Sequence, residues 1–341
     1  MSEFYEIQPS KENYWRSIIL FGRNVASYKF ALAKALYDVK TAGHTVVTLD
    51  QLAVPFSRYI CEHLQLVDKQ ATSQSSKFLD FCRAYNRNEI DQTMLINKTV
   101  RYGFVNVIDA FHCVHGQEIP QRFFSDARKT HQGIILTDEI FQLFDGEQSK
   151  DLIEETEARW RLVETAWDMN LPKHLVQIQH DEQGILVADN KIRRVNVTSV
   201  KSALNGYQKS KCFYCFTDIT ITQFLPNSAD VDHFFPHKLR YCDAQKPVNG
   251  VANLVLACTE CNRGQNGKFD RLPSVSLLAQ LHKRNEYLIT SHHPLRETLI
   301  AQTGFTEIAR RGFLQSAYDC ATHHLGMAYK WQPKQNGHSA F

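Results

Sequence analysis

The chain has 341 residues, of which 43% are hydrophobic and 22% are charged, and this is the composition of an ordinary globular protein with enough length for two domains. No apolar run approaches the roughly 18 residues of a membrane-spanning helix, and the N-terminus has acidic residues instead of the apolar segment of a secretory signal. We therefore expect a cytoplasmic protein with no membrane partner.

The net charge of +3 is unevenly distributed along the chain. Residues 191–290 contain fourteen Lys and Arg against seven Asp and Glu, whereas residues 1–190 contain twenty against twenty-six. Lys and Arg neutralise phosphates and release counterions, so the basic segment is predicted to meet a polyphosphate partner. A solvated basic face would have the same composition.

The first part of the chain is predicted to be mainly helical. Apolar residues repeat every seven positions over 13–37, which indicates one long helix. Thr48 and Gln51 form a capping-box pattern that predicts a second helix through about Leu66, and Pro55 has to be accommodated near its start.

The apolar residues 99–115 fit a strand and a buried helix equally well. Residues 134–136 predict a short strand or loop before a further helix, and residues 150–169 predict a helix with a regular apolar face. We place a domain boundary after residue 172. An acidic surface repels phosphate, so the acidic domain 1–172 is not expected to bind DNA. We expect it to bind a protein partner or to restrain the second domain, and the alternative is a plain scaffold.

The second domain is predicted to span 173–330, followed by a flexible tail over 331–341. It begins with two or three short strands up to about residue 197, and a helix then leads into the first pair of cysteines. Helices are predicted again after residue 275. The expected fold class is α+β, with a mainly helical N-terminal domain.

Four of the nine cysteines stand in two CxxC pairs, Cys212 with Cys215 and Cys258 with Cys261. Four thiolates in two such turns are the ligand set of a closed, structural Zn²⁺ site. The ion would tie the ends of the segment together and hold the residues between them in a fixed loop. A zinc knuckle that only binds or only stabilises explains the cysteines, but it gives no reason for Asp232 and His233 between them.

The pattern CxxC, DHxxP, N and CxxCN resembles the HNH (ββα-metal) endonuclease family in its zinc-stapled form. In that family a short β-hairpin and a helix hold one catalytic divalent cation. The resemblance implies that His233 is the general base, that Asp232 is a metal-binding carboxylate, and that Asn253 braces the loop carrying the histidine. It also implies that Asn262 is the second metal ligand.

The resemblance covers about residues 195–290 and implies a second, catalytic cation besides zinc. Oxygen donors from Asp232 and Asn262 suit Mg²⁺ or Mn²⁺, and a histidine is suited to take a proton from water near neutral pH. The segment NRGQNGKF is longer before its lysine than in the compact form of the motif, so Asn266 is a rival for Asn262. Candidate phosphate contacts are Arg240, Arg263 and Lys268.

These features predict a metal-dependent endonuclease that hydrolyses phosphodiester bonds in DNA, with RNA left open as a substrate. HNH proteins with an unrelated helical domain resemble components of anti-phage defence systems, which implies a partner such as an ATPase or a sensor for the N-terminal domain. The alternative is a zinc-stabilised nucleic-acid-binding or adaptor protein without catalysis.

Overall fold

The structure is a computed structural model. It describes residues 9–21, 25–72, 75–114, 116–168, 178–180, 185–189, 194–222, 225–236, 239, 250–290, 295–325 and 330–334. The chain has mixed helix and sheet, and it divides into two compact units, Met1–Trp160 and Arg161–Phe341. The predicted domain boundary at residue 172 lies outside the described residues.

The first unit combines helices with two small antiparallel sheets. In one sheet Gly133–Leu136 lies between Val46–Thr48 and Phe124–Ala127, and in the other Cys113–Val114 pairs with Gln117–Glu118. Edge-to-face aromatic contacts at 5.0–5.7 Å surround Trp15 in the core. The elements are α1 (Lys11–Phe21), α2 (Tyr28–Thr41), β1 (Val46–Thr48), α3 (Leu49–Leu66), α4 (Lys77–Asn86), α5 (Gln92–Tyr102), α6 (Val107–Ala110), β2 (Cys113–Val114), β3 (Gln117–Glu118), β4 (Phe124–Ala127), β5 (Gly133–Leu136), α7 (Asp138–Asp145) and the first part of α8 (Ser149–Asp168), a helix that continues past residue 160.

The single long helix predicted over 13–37 is wrong, because α1 and α2 are separate helices. Between them the backbone pairs with a distant segment: Ala26 bridges Ala71, and the Ser27 amide donates to the Gln70 carbonyl at 3.0 Å. The Ser27 amide is thereby bonded outside the helix, so α1 does not continue through it. Of the residues in the seven-residue repeat, Ile18 and Leu32 are buried in the two helices, whereas Val25 lies in the break and is 46% exposed.

The capping box that starts α3 is confirmed. The backbone amide of Gln51 donates to the Thr48 hydroxyl at 3.2 Å, and the backbone amide of Thr48 donates to the side-chain oxygen of Gln51 at 2.9 Å. The ambiguous residues 99–115 contain the end of α5, the short α6 and β2, so neither single element describes them. Residues 134–136 are a strand, β5, and the predicted helix over 150–169 is α8.

Within the residues that the structure describes, the second unit contains the end of α8, five further helices and two antiparallel sheets. In one sheet Ile185–Asp189 lies between Ile178–His180 and Arg194–Ser199, which makes three strands where two or three are predicted. In the other sheet Asp230–His233 pairs with Leu254–Ala257. The elements are β6 (Ile178–His180), β7 (Ile185–Asp189), β8 (Arg194–Ser199), α9 (Val200–Gln208), β9 (Asp230–His233), β10 (Leu254–Ala257), α10 (Thr259–Arg263), α11 (Val275–Thr290), α12 (Arg296–Thr303) and α13 (Glu307–Leu325), with a 3₁₀ turn at Val251–Asn253 before β10.

Strand β10 is the buried centre of the second unit, and all four of its residues are buried. On one side it pairs with β9, where Val255 lies opposite Asp232. On the other side the Gln208 side chain takes the place of a neighbouring strand, because it both donates to the Leu256 carbonyl and accepts from the Leu256 amide, each at 2.8 Å. The Arg284 guanidinium donates to the Leu254 carbonyl at 2.9 Å. These contacts fix the position of β9 and its side chains.

The first residue of the predicted tail belongs to the packed unit. Trp331 is buried, its amide donates to the Leu272 carbonyl at 2.9 Å, and its indole donates to the Asn266 carbonyl at 2.7 Å. Residues 335–341 of that predicted tail lie outside the described residues. Among the helices that are described, none combines the length and the apolar composition required to cross a bilayer.

Candidate metal centre and active site

The four cysteines of the two CxxC pairs come together in the second unit. Their sulfur atoms all lie within 4.8 Å of one another, and the sulfurs of Cys215 and Cys258 are 3.7 Å apart. The first pair sits in a tight turn, in which the Cys212 amide donates to the Thr217 carbonyl at 2.8 Å and Phe216 has a φ of 63°. In the second pair Cys258 is the N-cap of α10 and accepts from the Cys261 amide at 3.4 Å.

The donor set fits a divalent cation. Four thiols at this spacing cannot all ionise without a positive charge, and the thiol pKa values therefore separate. Hydrogen bonding from Cys212 lowers the pKa of Cys215, whereas hydrogen bonding with Cys215 raises the pKa of Cys212. Four thiolates in a closed tetrahedral arrangement are the usual ligands of structural zinc. The cluster can hold a metal ion such as Zn²⁺.

A buried hydrogen-bonded triad lies beside this cluster. Tyr214 stands between the first two cysteines, and its hydroxyl donates to Oδ2 of Asp232 at 2.6 Å. The ammonium of Lys268 lies 3.1 Å from Oδ1 of the same carboxylate. All three side chains are buried, so the Asp232 carboxylate has a specific partner on each oxygen.

The charges of this triad depend on one another. Burial raises the pKa of Asp232, and the Lys268 ammonium and the Tyr214 hydroxyl oppose that shift. Burial likewise lowers the pKa of Lys268, and the Asp232 carboxylate opposes it. At 3.1 Å and with both groups shielded from water, the charged pair with its extra hydrogen bonds is the state that the geometry supports.

A residue that contacts a phosphate has to be accessible from solvent. The Lys268 side chain is only 1% exposed, so its position differs from that of the predicted phosphate contact. The residues that lengthen the motif at this point form a compact loop. The Lys268 amide donates to the Cys261 carbonyl at 2.6 Å, and Gly267 packs against α10 so closely that a Cβ there would lie 2.8 Å from the Gly264 nitrogen. The extra residues of this loop thereby place the Lys268 ammonium against the Asp232 carboxylate.

Asn253 holds the backbone just after His233. Its side-chain oxygen accepts from the Phe235 amide at 2.7 Å, and its side-chain nitrogen donates to the Phe235 carbonyl at 3.1 Å. Its own carbonyl accepts from the Phe234 amide at 2.8 Å. Three hydrogen bonds from one residue fix the end of β9, where His233 is half-buried.

The Asn262 side chain also contacts β9, but at the carboxylate of Asp230 instead of Asp232. Its side-chain nitrogen donates to Oδ2 of Asp230 at 3.1 Å, and the Arg263 guanidinium lies 3.0 Å from the same oxygen. Asp230 and Asp232 are two residues apart on β9 and so share one face of the strand. Asn266 is exposed, and its backbone carbonyl accepts from Arg271 and Trp331.

Sequence reasoning missed two of these side chains. The signal for Tyr214 is its position inside a CxxC turn, because such a turn holds the ring close to whatever it packs against. The signal for Asp230 is the alternation of side chains along a strand, which places it on the same face as Asp232. Arg240 lies outside the described residues, so its predicted phosphate contact stays a prediction.

Comparison of the chain with protein-family models, with curated proteins and with solved structures gives no match.

Proposed function

We propose that this protein is a metal-dependent endonuclease of the HNH type that hydrolyses phosphodiester bonds in DNA. The observation that carries the proposal is the bracing of the backbone after His233 by Asn253, at the end of a strand that also bears the buried Asp232. An antiparallel strand pair followed by the short α10, next to four clustered cysteines, supports the same function.

In this mechanism His233 accepts a proton from the attacking water. A histidine works as a base near neutral pH only when it is held in place, and the contacts of Asn253 with Phe235 hold the backbone that carries it. Asp232 and Asn262 would hold the catalytic Mg²⁺ or Mn²⁺. When bound, this cation stabilises negative charge on the phosphoryl and leaving oxygens. The cysteine cluster keeps the two ends of the segment together and takes no part in the reaction.

The basic excess of residues 191–290 supports a nucleic-acid substrate. Arg263 is 62% exposed and lies 3.0 Å from Asp230 on β9, so its guanidinium is accessible to a phosphate next to the site. The acidic first unit is suited to bind a protein, and a nuclease under the control of an ATPase or a sensor would serve as an effector of anti-phage defence.

A second candidate is a zinc-stabilised nucleic-acid-binding protein without catalysis. One observation favours it: Tyr214 and Lys268 already engage both oxygens of Asp232. The carboxylate has about four acceptor positions, however, and with the backbone amide of His233 as a third donor one position stays open for a cation. The two candidates differ in whether the carboxylate holds a cation that cleavage requires.

The experiment that tests the proposed function is a cation titration of DNA cleavage. Zinc-loaded protein is incubated with supercoiled plasmid over a series of Mg²⁺ or Mn²⁺ concentrations, for the wild type and for Asn262→Ala, with Asn266→Ala as the matched control. The proposal predicts cleavage that needs the cation, and a higher midpoint for Asn262→Ala alone. Cleavage that is absent from the wild type at every cation concentration would contradict it.

A further inference from the structure

The position of Tyr214 is fixed from several directions. Its ring packs edge-on against Trp331 and Phe213, with centroid distances of 5.0 and 5.2 Å. The Phe213 amide donates to the Leu256 carbonyl at 2.9 Å, and the Gln280 side chain donates to the Phe213 carbonyl. These contacts attach the turn that contains the first two cysteines to β10, and they hold the ring of Tyr214 in position.

In this position the Tyr214 hydroxyl contacts the Asp232 carboxylate. A carboxylate rotates about two side-chain bonds unless partners hold it, and here one oxygen accepts from Tyr214 while the other faces Lys268. Donation from a hydroxyl and an ammonium also favours the ionised carboxylate in a buried setting. The two partners come from opposite ends of the cysteine segment, since Tyr214 lies within the first CxxC pair and Lys268 follows the second.

We propose that Tyr214 is a positioning residue for the catalytic cation, through which the cysteine cluster fixes the orientation of the Asp232 carboxylate. Lys268 fixes the second oxygen. This inference rests on the proposed function in one respect, namely that Asp232 is a ligand of the cation. It assigns a role to a residue that does not itself contact the cation or the substrate, and it connects the two metal sites by a single hydrogen bond.

The test is the substitution Tyr214→Phe, which removes the hydroxyl and keeps the ring. The matched control is Tyr318→Phe in the same unit, which removes a buried hydroxyl that donates to the Pro273 carbonyl at 2.8 Å. Binding of Mn²⁺ to zinc-loaded protein is measured by electron paramagnetic resonance, alongside zinc content and plasmid cleavage at saturating Mn²⁺. We expect the Mn²⁺ dissociation constant of Tyr214→Phe to rise by about tenfold or more, as for other residues that orient a metal ligand.

We expect Tyr318→Phe to bind Mn²⁺ like the wild type, and Tyr214→Phe to keep its zinc. A double-mutant cycle identifies the route: in an Asp232→Asn background, Tyr214→Phe should change Mn²⁺ affinity no further. An unchanged dissociation constant, or loss of zinc from Tyr214→Phe, would overturn the proposal. Wild-type protein that binds Mn²⁺ without cleaving DNA would refute the proposed function alone, whereas protein that binds no Mn²⁺ would refute both.

Discussion

Replacing Lys268 by methionine tests whether its ammonium is a buried partner of Asp232. Methionine keeps most of the apolar stem and removes the charge. Lys268 and Asp232 are 1% and 9% exposed, so water cannot take over the role of the missing ammonium. Removing one member of a buried ion pair costs about 3–5 kcal/mol, which is a large share of the roughly 5–15 kcal/mol that stabilises a typical domain.

The free energy of unfolding is measured by denaturant titration of the zinc-loaded protein, with Arg263→Met as the matched control. Arg263 is also paired with a carboxylate, Asp230, at 3.0 Å, but it is 62% exposed. An exposed pair contributes about 1 kcal/mol or less, so the control should stay close to the wild type. Lys268→Met should lose several times more stability than Arg263→Met.

The deficit of Lys268→Met should also depend on pH. Burial raises the pKa of Asp232, and loss of the ammonium removes the main opposing influence. The folded variant then binds a proton more readily than the unfolded chain, so its stability relative to the wild type should recover as the pH falls from 7 toward 5. Equal losses for the two variants, or a deficit independent of pH, would refute the buried pair and restore a phosphate contact for Lys268.

Three further predictions concern other parts of the chain. The purified protein should contain about one tightly bound Zn²⁺, and Cys258→Ser should leave the second unit unfolded or insoluble; a soluble, active and zinc-free variant would contradict the cluster. Asn253→Ala should lower cleavage without moving the cation midpoint, because it releases the backbone of Phe235 and leaves the cation ligands in place; a shifted midpoint would contradict this. Burial lowers the pKa of His112 to about 3, and its Nε2 accepts from the Phe123 amide at 3.0 Å. The unfolded chain binds the proton first, so stability should fall as the pH drops below about 6.5, and His112→Gln should reduce that dependence; an unchanged pH profile would contradict it.

Features that depend on local chemistry were predictable from the sequence. The capping box of Thr48 and Gln51 needs only two residues three positions apart, and it starts α3 as predicted. The two CxxC pairs likewise predicted a cluster that can hold a metal, because a shared ion is the usual reason for two such turns in one segment. Both signals are short patterns with one physical explanation.

Features that depend on distant partners were not predictable. The break between α1 and α2 requires the pairing of Ala26 with Ala71, which no local pattern encodes. The placement of Lys268 depends on a loop that folds back on α10, so a basic residue that looks like a phosphate contact in the sequence lies against Asp232 in the fold. Long-range contacts of this kind override what the residue type alone indicates.

The measurement that tests the central claim most directly compares wild-type protein and His233→Ala on supercoiled plasmid with saturating Mg²⁺ or Mn²⁺. DNA binding is followed in parallel by gel shift without the cation. The account predicts that the wild type cleaves the plasmid, and that His233→Ala binds DNA almost as well but cleaves it at least ~10²-fold more slowly, the loss expected for a general base. Equal cleavage by the two proteins would contradict the account.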